Sequence, residues 1–308
     1  YTGKCLKIDA ENKKVSTFGS NNNAYFAASI AGNNDIYCVG NAASNGVMII
    51  KKESQVNDEV IQTDTHRRYK CVINNRDKPS DGVNKVPQTW VDIGPTNKWA
   101  PFDAKILTTL KSNTTYTNAI KDTENLGIGS VSAFGLVNVS SVNIRATSAS
   151  SGLMFNQTYQ TGDTDELSVN GIPPMTDYTI NMTFNKSAGA DLEVGSIVPG
   201  KLYELGTLQT GASSDVIDYS KSEYDEFGEL VYVQRPIVKY STYPIVIERQ
   251  YSIQVSRLLN TLRGIPCVWI GNLGSGQELV TYGAYERSPM TYNNPSIVEL
   301  QLKVRGVI

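Results

Sequence analysis

The chain has 308 residues, 40% of them apolar and 19% charged, with a formal net charge of −2. That length allows two or three domains of ordinary size, and the near-neutral balance of scattered Lys and Arg excludes the basic footprint of a nucleic-acid binder. No apolar run reaches the roughly 18 residues of a membrane-crossing helix, while plentiful Asn, Ser, Thr, Gly and Tyr point to β-structure joined by polar turns. In chain order, Lys4–Asp9 reads as a strand, Ala10–Lys14 as a turn and Val15–Gly19 as the returning strand. Ala24–Ile30 and Asp35–Val39 follow, divided by Gly32-Asn33-Asn34, and Val47–Lys51 is the next apolar strand. Short strands separated by Asn/Gly turns make an antiparallel meander.

Cys5-Leu-Lys-Ile-Asp9, Val15-Ser-Thr-Phe-Gly19 and Asp35-Ile-Tyr-Cys-Val39 resemble one blade of a β-propeller. Residues 1–54 are therefore expected to form a blade-like meander whose open edges need a cover. Residues 55–96 are polar, with Tyr69, Cys71, Val72 and Trp90 as the apolar points and Arg76–Gly82 as a turn. Tyr-x-Cys, a Pro-containing loop and then Trp is similar to a small chitin-binding type of carbohydrate module.

Residues 97–208 read as a β-sandwich, with strands at Val131–Leu136, Ser141–Thr147, Ser151–Gln157, Tyr178–Phe184 and Asp191–Val198. In Tyr178-Thr-Ile-Asn-Met-Thr-Phe184 apolar and polar positions alternate, so one face packs and the other is wet. The entry Asn97-Lys-Trp99 followed by such strands resembles a discoidin-type jelly roll. Residues 209–308 form a C-terminal α+β unit that opens with an acidic, Tyr-rich stretch over 209–245. Tyr251–Arg263 places Ile253, Leu258, Leu259 and Leu262 near one helical face; Gly264 stops this helix and Pro266 reinforces the stop. Val268–Gly271, Leu279–Tyr285 and Val298–Val304 read as strands. The expected fold class is thus mostly β and multi-module: a blade-like meander, a jelly-roll sandwich and a small C-terminal α+β unit.

The order of several motifs carries a further resemblance. Trp90-Val-Asp-Ile-Gly-Pro-Thr-Asn-Lys-Trp-Ala-Pro-Phe-Asp103 is followed by Glu193-Val-Gly-Ser-Ile-Val-Pro-Gly200 and Glu204-Leu-Gly206. Ile217-Asp-Tyr-Ser220, Asp225-Glu-Phe-Gly228, Arg263-Gly-Ile-Pro-Cys-Val-Trp-Ile-Gly271 and Tyr282-Gly-Ala-Tyr285 come next. Over residues 65–308 this series resembles tailed-bacteriophage virion proteins of the tail or baseplate. The resemblance implies a virion part, assembled in the bacterial cytoplasm and repeated around the tail axis. Its implied partners are other tail or baseplate proteins, further copies of itself and host-surface polysaccharide.

Two of the three Trp lie within ten residues of each other. Tyr69, Trp90, Trp99 and Phe102 either stack on sugar rings or seal a junction between modules. The sealed junction carries more weight, because large aromatics are more often buried than displayed. Asp92 and Asp103 either join a sugar or calcium site or cap the turns beside Gly94 and Pro101, and turn-capping is the commoner role. Asp215, Asp218, Glu223, Asp225 and Glu226 supply carboxylates, but their spacing selects no glycosidase pair. With Tyr219, Tyr224, Phe227, Tyr232, Tyr240 and Tyr243 around them, they read as a partner-facing loop centred on Asp218, Tyr219, Tyr224, Phe227 and Tyr232.

No catalytic residue, metal site or cofactor is expected. His66 is the single histidine, and no GxSxG elbow accompanies it. Gly271-Asn-Leu-Gly-Ser-Gly276 lacks the Gly-Lys-Ser/Thr ending of a phosphate loop and reads as a hairpin connection. Cys5, Cys38, Cys71 and Cys267 have no metal-knuckle spacing and read as reduced thiols. The Asn-x-Ser/Thr sites at Asn113, Asn138, Asn156 and Asn181 matter only in a eukaryotic secretory route. The chain begins at Tyr1 without a signal-peptide pattern, as a processed protein or part of a longer chain would. The expected function is a structural tail component. The alternatives are a carbohydrate-binding adhesin and a polysaccharide depolymerase.

Overall fold

The computed structural model describes residues 53–308 except 122–126, 163, 175–176, 225 and 275–276, together with the backbone of five strands nearer the start. Side chains of those five strands and of 273–278 lie outside the described set. The chain divides into two compact units, Tyr1–Thr96 and Asn97–Ile308.

In the first unit β1 (Cys5–Asp9) pairs antiparallel with β2 (Lys14–Phe18), placing Cys5 opposite Phe18. β3 (Phe26–Ile30), β4 (Asp35–Gly40) and β5 (Val47–Lys51) form a three-stranded antiparallel sheet. The short strands expected here are present, but they divide between two sheets, β1–β2 and β3–β4–β5, rather than running through one blade-like meander. Their intervening turns and the Cys5 and Cys38 thiols are outside the described residues. β6 (Glu59–Gln62), β7 (Arg67–Cys71) and β8 (Trp90–Pro95) make another antiparallel sheet in the order β6-β7-β8. Where a plain turn was expected, Pro79–Gly82 forms one helical turn, α1. Pro79 stands in its first turn, where a missing N–H costs nothing and φ is already helical.

The second unit opens with a 3-10 helix, Asn97–Phe102. Its strands begin with β9 (Leu110–Ser112), β10 (Tyr116–Lys121), β11 (Ser130–Phe134), β12 (Val139–Ser148) and β13 (Gly152–Gln160). β14 (Glu166–Asn170), β15 (Tyr178–Lys186), β16 (Leu192–Val194) and β17 (Ser196–Gly200) follow. Two sheets, β10-β15-β12-β13 and β14-β11-β17, share one core and form a β-sandwich. Val131 and Ala133 from one sheet meet Val142, Ile144, Ile180, Met182 and Phe184 from the other. β15 alternates buried and half-buried along Tyr178–Phe184, as its apolar/polar alternation dictates.

Next come β18 (Thr207–Leu208), β19 (Ser213–Asp218), β20 (Lys221–Tyr224), β21 (Leu230–Val233) and β22 (Ile237–Glu248). Helix α2 (Ser252–Thr261), β23 (Cys267–Gly274), β24 (Gln277–Arg287), β25 (Met290–Thr291) and β26 (Ile297–Gly306) complete the chain. Seven of these strands make one antiparallel sheet along the path β18-β22-β26-β24-β23, with β19 on β22 and β25 on β26. The sheet curls until its ends meet: a Cβ on Gly271 of β23 would stand 3.0 Å from the Tyr243 ring and 3.1 Å from Leu208 of β18. A larger residue there would need the Tyr243 ring or the Leu208 side chain to give by a few tenths of an ångström. Val255 and Leu259 of α2 close the core with Ile247, Leu300 and Leu302. Gly264, at φ +72, follows the helix in the left-handed conformation expected of its stop residue. Phe134 of the sandwich stacks on Tyr282 of β24, centroids 5.3 Å apart, and Lys239 Nζ reaches Glu166 at 3.2 Å. Sandwich and C-terminal sheet therefore share contacts within one compact unit.

Candidate functional site

Tyr69 and Trp90, two of the four candidate sugar-stacking residues, lie in the core of the first unit. They form a buried cluster with Cys71, backed by Val60 and Val83. Trp90 is 1% exposed. Its indole N–H donates to Asn75 Oδ1 at 2.9 Å, and Asn75 Nδ2 donates in turn to the Ile73 carbonyl at 2.6 Å. Gly82 of α1 lies over the indole, so a Cβ there would fall 2.4 Å from Trp90 Cδ1. This corrects the sugar-stacking reading for Tyr69 and Trp90: packing takes up both ring faces. Burial also pushes the Cys71 thiol pKa upward. Asp92 accepts from Arg67 and, at 2.9 Å, from the Gly94 N–H, which is the turn-capping role its position predicted. Asp103 accepts from the Lys105 N–H at 3.0 Å in the same manner.

Trp99 and Phe102 belong to the second unit and remain at its surface. Trp99 is 40% exposed, and its ring meets Phe102 edge-on at 5.8 Å. Their 3-10 helix buries Ala100 and Pro101 instead. Asn97 fastens the helix to β9, donating to the Lys111 carbonyl at 2.9 Å and accepting from the Lys111 N–H at 2.8 Å. Lys111 Nζ reaches Glu193 at 2.8 Å, and the Thr109 hydroxyl donates to the same carboxylate at 2.7 Å. Lys111 first, then Thr109, hold the Glu193 pKa below its ordinary value. The motif position Glu193 thus braces the aromatic pair's support.

The predicted partner-facing loop is strand rather than loop. β19 runs beside the first half of β22, and the chain continues into the separate hairpin β20–β21, with Lys221 opposite Val233 and Tyr224 opposite Leu230. At the hairpin's base Asp218 accepts from the Ser220 N–H at 2.8 Å, and Ser220 Oγ accepts from the Arg235 N–H at 3.0 Å. Ser220's hydroxyl and backbone lower the Asp218 pKa. Arg305 Nη2 donates to the Tyr219 hydroxyl at 2.6 Å, and its guanidinium lies over the same ring at 5.6 Å.

Beyond this base every residue of β20 and β21 is exposed. Tyr224 is 75%, Phe227 84% and Tyr232 73% exposed, and Leu230, Val231 and Val233 join them. Side chains alternate across a hairpin, so both of its faces present apolar groups. Tyr240 and Tyr243 part from this group, since β22 carries Tyr243 into the core. Asp215, Glu223 and Glu226 are also exposed, while Asp225 lies outside the described residues.

A depression of about 580 Å³ opens beside α2, lined by Tyr203, Glu204, Leu205, Val246, Glu248, Tyr251, Val255 and Leu258. Composition gave no hint of it, because its walls come from three separate segments. Among the described residues no cluster of three or more His, Cys, Asp or Glu could hold a metal ion. His66 occupies the β6–β7 turn at φ +54, and its carbonyl accepts the Thr96 N–H at 2.9 Å. Compared with known proteins, the chain matches no family model, no curated protein and no solved structure.

Proposed function

We propose that this chain is a structural subunit of a bacteriophage tail or baseplate, one that assembles in multiple copies and docks other virion proteins through the β20–β21 hairpin. The hairpin is the observation that carries the docking role. An isolated two-stranded ribbon is marginal in water, and monomeric proteins seldom leave so many large apolar side chains exposed together. Burial against a partner would stabilise it, and aromatics mixed with charge are the composition of such contacts. The phage setting rests on the ordered motif series from Trp90 to Tyr285. Particles purified from the host that carries this gene test the reading. An antibody raised against the purified chain should decorate the tail; unlabelled tails on particles shown to be intact would overturn it.

A second reading, contact with host-surface glycans, is favoured by the exposed Trp99–Phe102 pair. Aromatic faces suit the CH faces of sugar rings, and repeated copies would raise avidity without new contacts. In this reading Trp99→Ala abolishes glycan-array binding while leaving the circular dichroism spectrum unchanged. Binding that survives the substitution would place any glycan elsewhere.

A further inference from the structure

We infer that the outer edge of β21 pairs antiparallel with the same edge of a second copy, so that two β20–β21 hairpins join into one four-stranded sheet about a two-fold axis. The inference rests on the hairpin being a docking element, as proposed above, and names one of its partners. Strand count is the first argument. Among the described residues neither β20 nor β21 pairs with any further strand, so the hairpin is a two-stranded sheet with two open edges. Two strands alone are marginal in water, whereas three or more with an apolar face hold. The two edges differ. β20 carries Lys221 and Glu223, charged side chains of the kind with which edge strands resist pairing. β21, Leu230-Val-Tyr-Val233, is exposed throughout and has neither a charge nor a proline.

Register is the second argument. Alternate residues of a strand turn their N–H and C=O to a given edge, so a strand that meets its own copy must set odd residues against odd and even against even. A two-fold axis at Tyr232 places that residue opposite the partner's Tyr232. Val231 and Val233 then face the partner's Val233 and Val231, while Glu229 and Arg235 face the partner's Arg235 and Glu229. One face of the joined sheet carries four valines closed at both ends by opposite charges. The other carries the paired tyrosine rings between two Leu–Gln pairs. Cross-strand neighbours of these kinds stabilise a sheet, and a shift of register loses them. An axis at Val231 would set Glu229 against valine, and an axis at Val233 would set Arg235 against valine.

The flanking residues fit the same register. Glu229, Gln234 and Arg235 border β21 and join it as the ladder lengthens. Pro236 has no N–H to donate and ends the pairing after Arg235. Arg235 is exposed and joins no ion pair among the described residues. The Glu229 side chain is exposed too, and a carboxylate accepts from more than one donor. Because the same patch serves both copies, the contact is isologous and closes as a dimer.

The test uses the full chain and follows self-association by sedimentation velocity and native mass spectrometry across protein concentration. The unsubstituted chain should dimerise. Glu229→Arg sets positive charges opposite each other at both ends of the pairing, and Arg235→Glu does the same with negative ones. Each should weaken the dimer at least tenfold. Mixed in equal amounts, the two variants should form a 1:1 complex, because every crossed pair is then of opposite sign. Both changes in one chain should restore the dimer. All lie at exposed positions, and circular dichroism checks that the fold is kept. Hydrogen exchange supplies a backbone readout: amides of 230–234 should gain protection as the unsubstituted chain dimerises.

A chain that stays monomeric at every concentration overturns the inference. So does a dimer that both single variants form as well as the unsubstituted chain, or one that forms with no added protection in β21. The docking reading is judged apart from this, through Tyr224, which lies outside the pairing. Tyr224→Ser should leave the dimer intact and deplete the chain from assembled tails. Full incorporation of that variant would remove the hairpin's contact with other virion proteins and leave the dimer standing.

Discussion

Tyr243 shows what a single residue contributes inside the curled sheet. Its ring is buried, and its hydroxyl donates to Thr281 Oγ1 at 3.0 Å, while Thr281 shares a second bond with Ser241 at 2.7 Å. Burial raises the Tyr243 pKa to about 12, against the lesser opposing pull of Thr281 and Ser241. In the unfolded chain a tyrosine ionises near 10. Between those values the native state keeps a proton that the unfolded state has lost. Stability is therefore full below about pH 10 and falls as pH rises toward 12, by about 1.4 kcal/mol per pH unit from this group. Tyr243→Phe removes that slope. It should also cost about 1 kcal/mol at neutral pH for the lost hydrogen bond. Urea titrations at pH 8, 10 and 11 check both effects: the variant should start less stable and lose less between pH 10 and 11. An unchanged alkaline slope would show that Tyr243 does not carry it.

At the scale of elements, α2 was the most legible piece. Ile253, Leu258, Leu259 and Leu262 suggested the helix, Gly264 ended it, and the structure buries Val255 and Leu259 with Ser252. Ile253, however, is exposed, because the buried stripe runs through Ser252, Val255 and Leu259 instead. Gly264→Ala places a Cβ on a residue at φ +72, so it should cost about 1 kcal/mol. Hydrogen exchange should quicken in α2 before β26; exchange unchanged in α2 would mean the left-handed stop is not required. β12 and β15 were legible for the same reason as α2, since one clean face packs. β10 was not, because Asn118 stands buried between Tyr116 and Ile120 and breaks the apolar repeat. β20 and β21 escaped notice because neither has a buried face, so no period-two contrast marks them. Burial of Trp90 was equally unreadable: the ten residues that hold both tryptophans do not say which one α1 will cover. The answer comes from Gly82 and Asn75, polar-segment residues that only the fold brings to the ring.

For the whole molecule, the two compact units predict two unfolding events. The described part of the first unit depends on a small core of Tyr69, Cys71 and Trp90. The second unit has far larger cores in its sandwich and curled sheet. Small cores leave little margin, since less of the chain's surface can be buried. Trp90→Ala removes the largest member of that core and the partner of Asn75, with an expected loss of about 3–5 kcal/mol. That is a sizeable share of any domain's stability. Trp90→Phe keeps most of the ring and loses one hydrogen bond, about 1 kcal/mol, because Asn75 Oδ1 retains the Asp77 N–H at 2.8 Å. In hydrogen-exchange mass spectrometry Trp90→Ala should strip protection from β6, β7 and β8 and leave β12, β15 and β26 protected. Equal loss in both units would show that they unfold as one body. The same experiment decides how any loss of glycan binding is to be read. If Trp90→Ala ends binding only by unfolding its own unit, while Trp99→Ala ends it with both units protected, the contact belongs to the exposed pair and not to the buried ring.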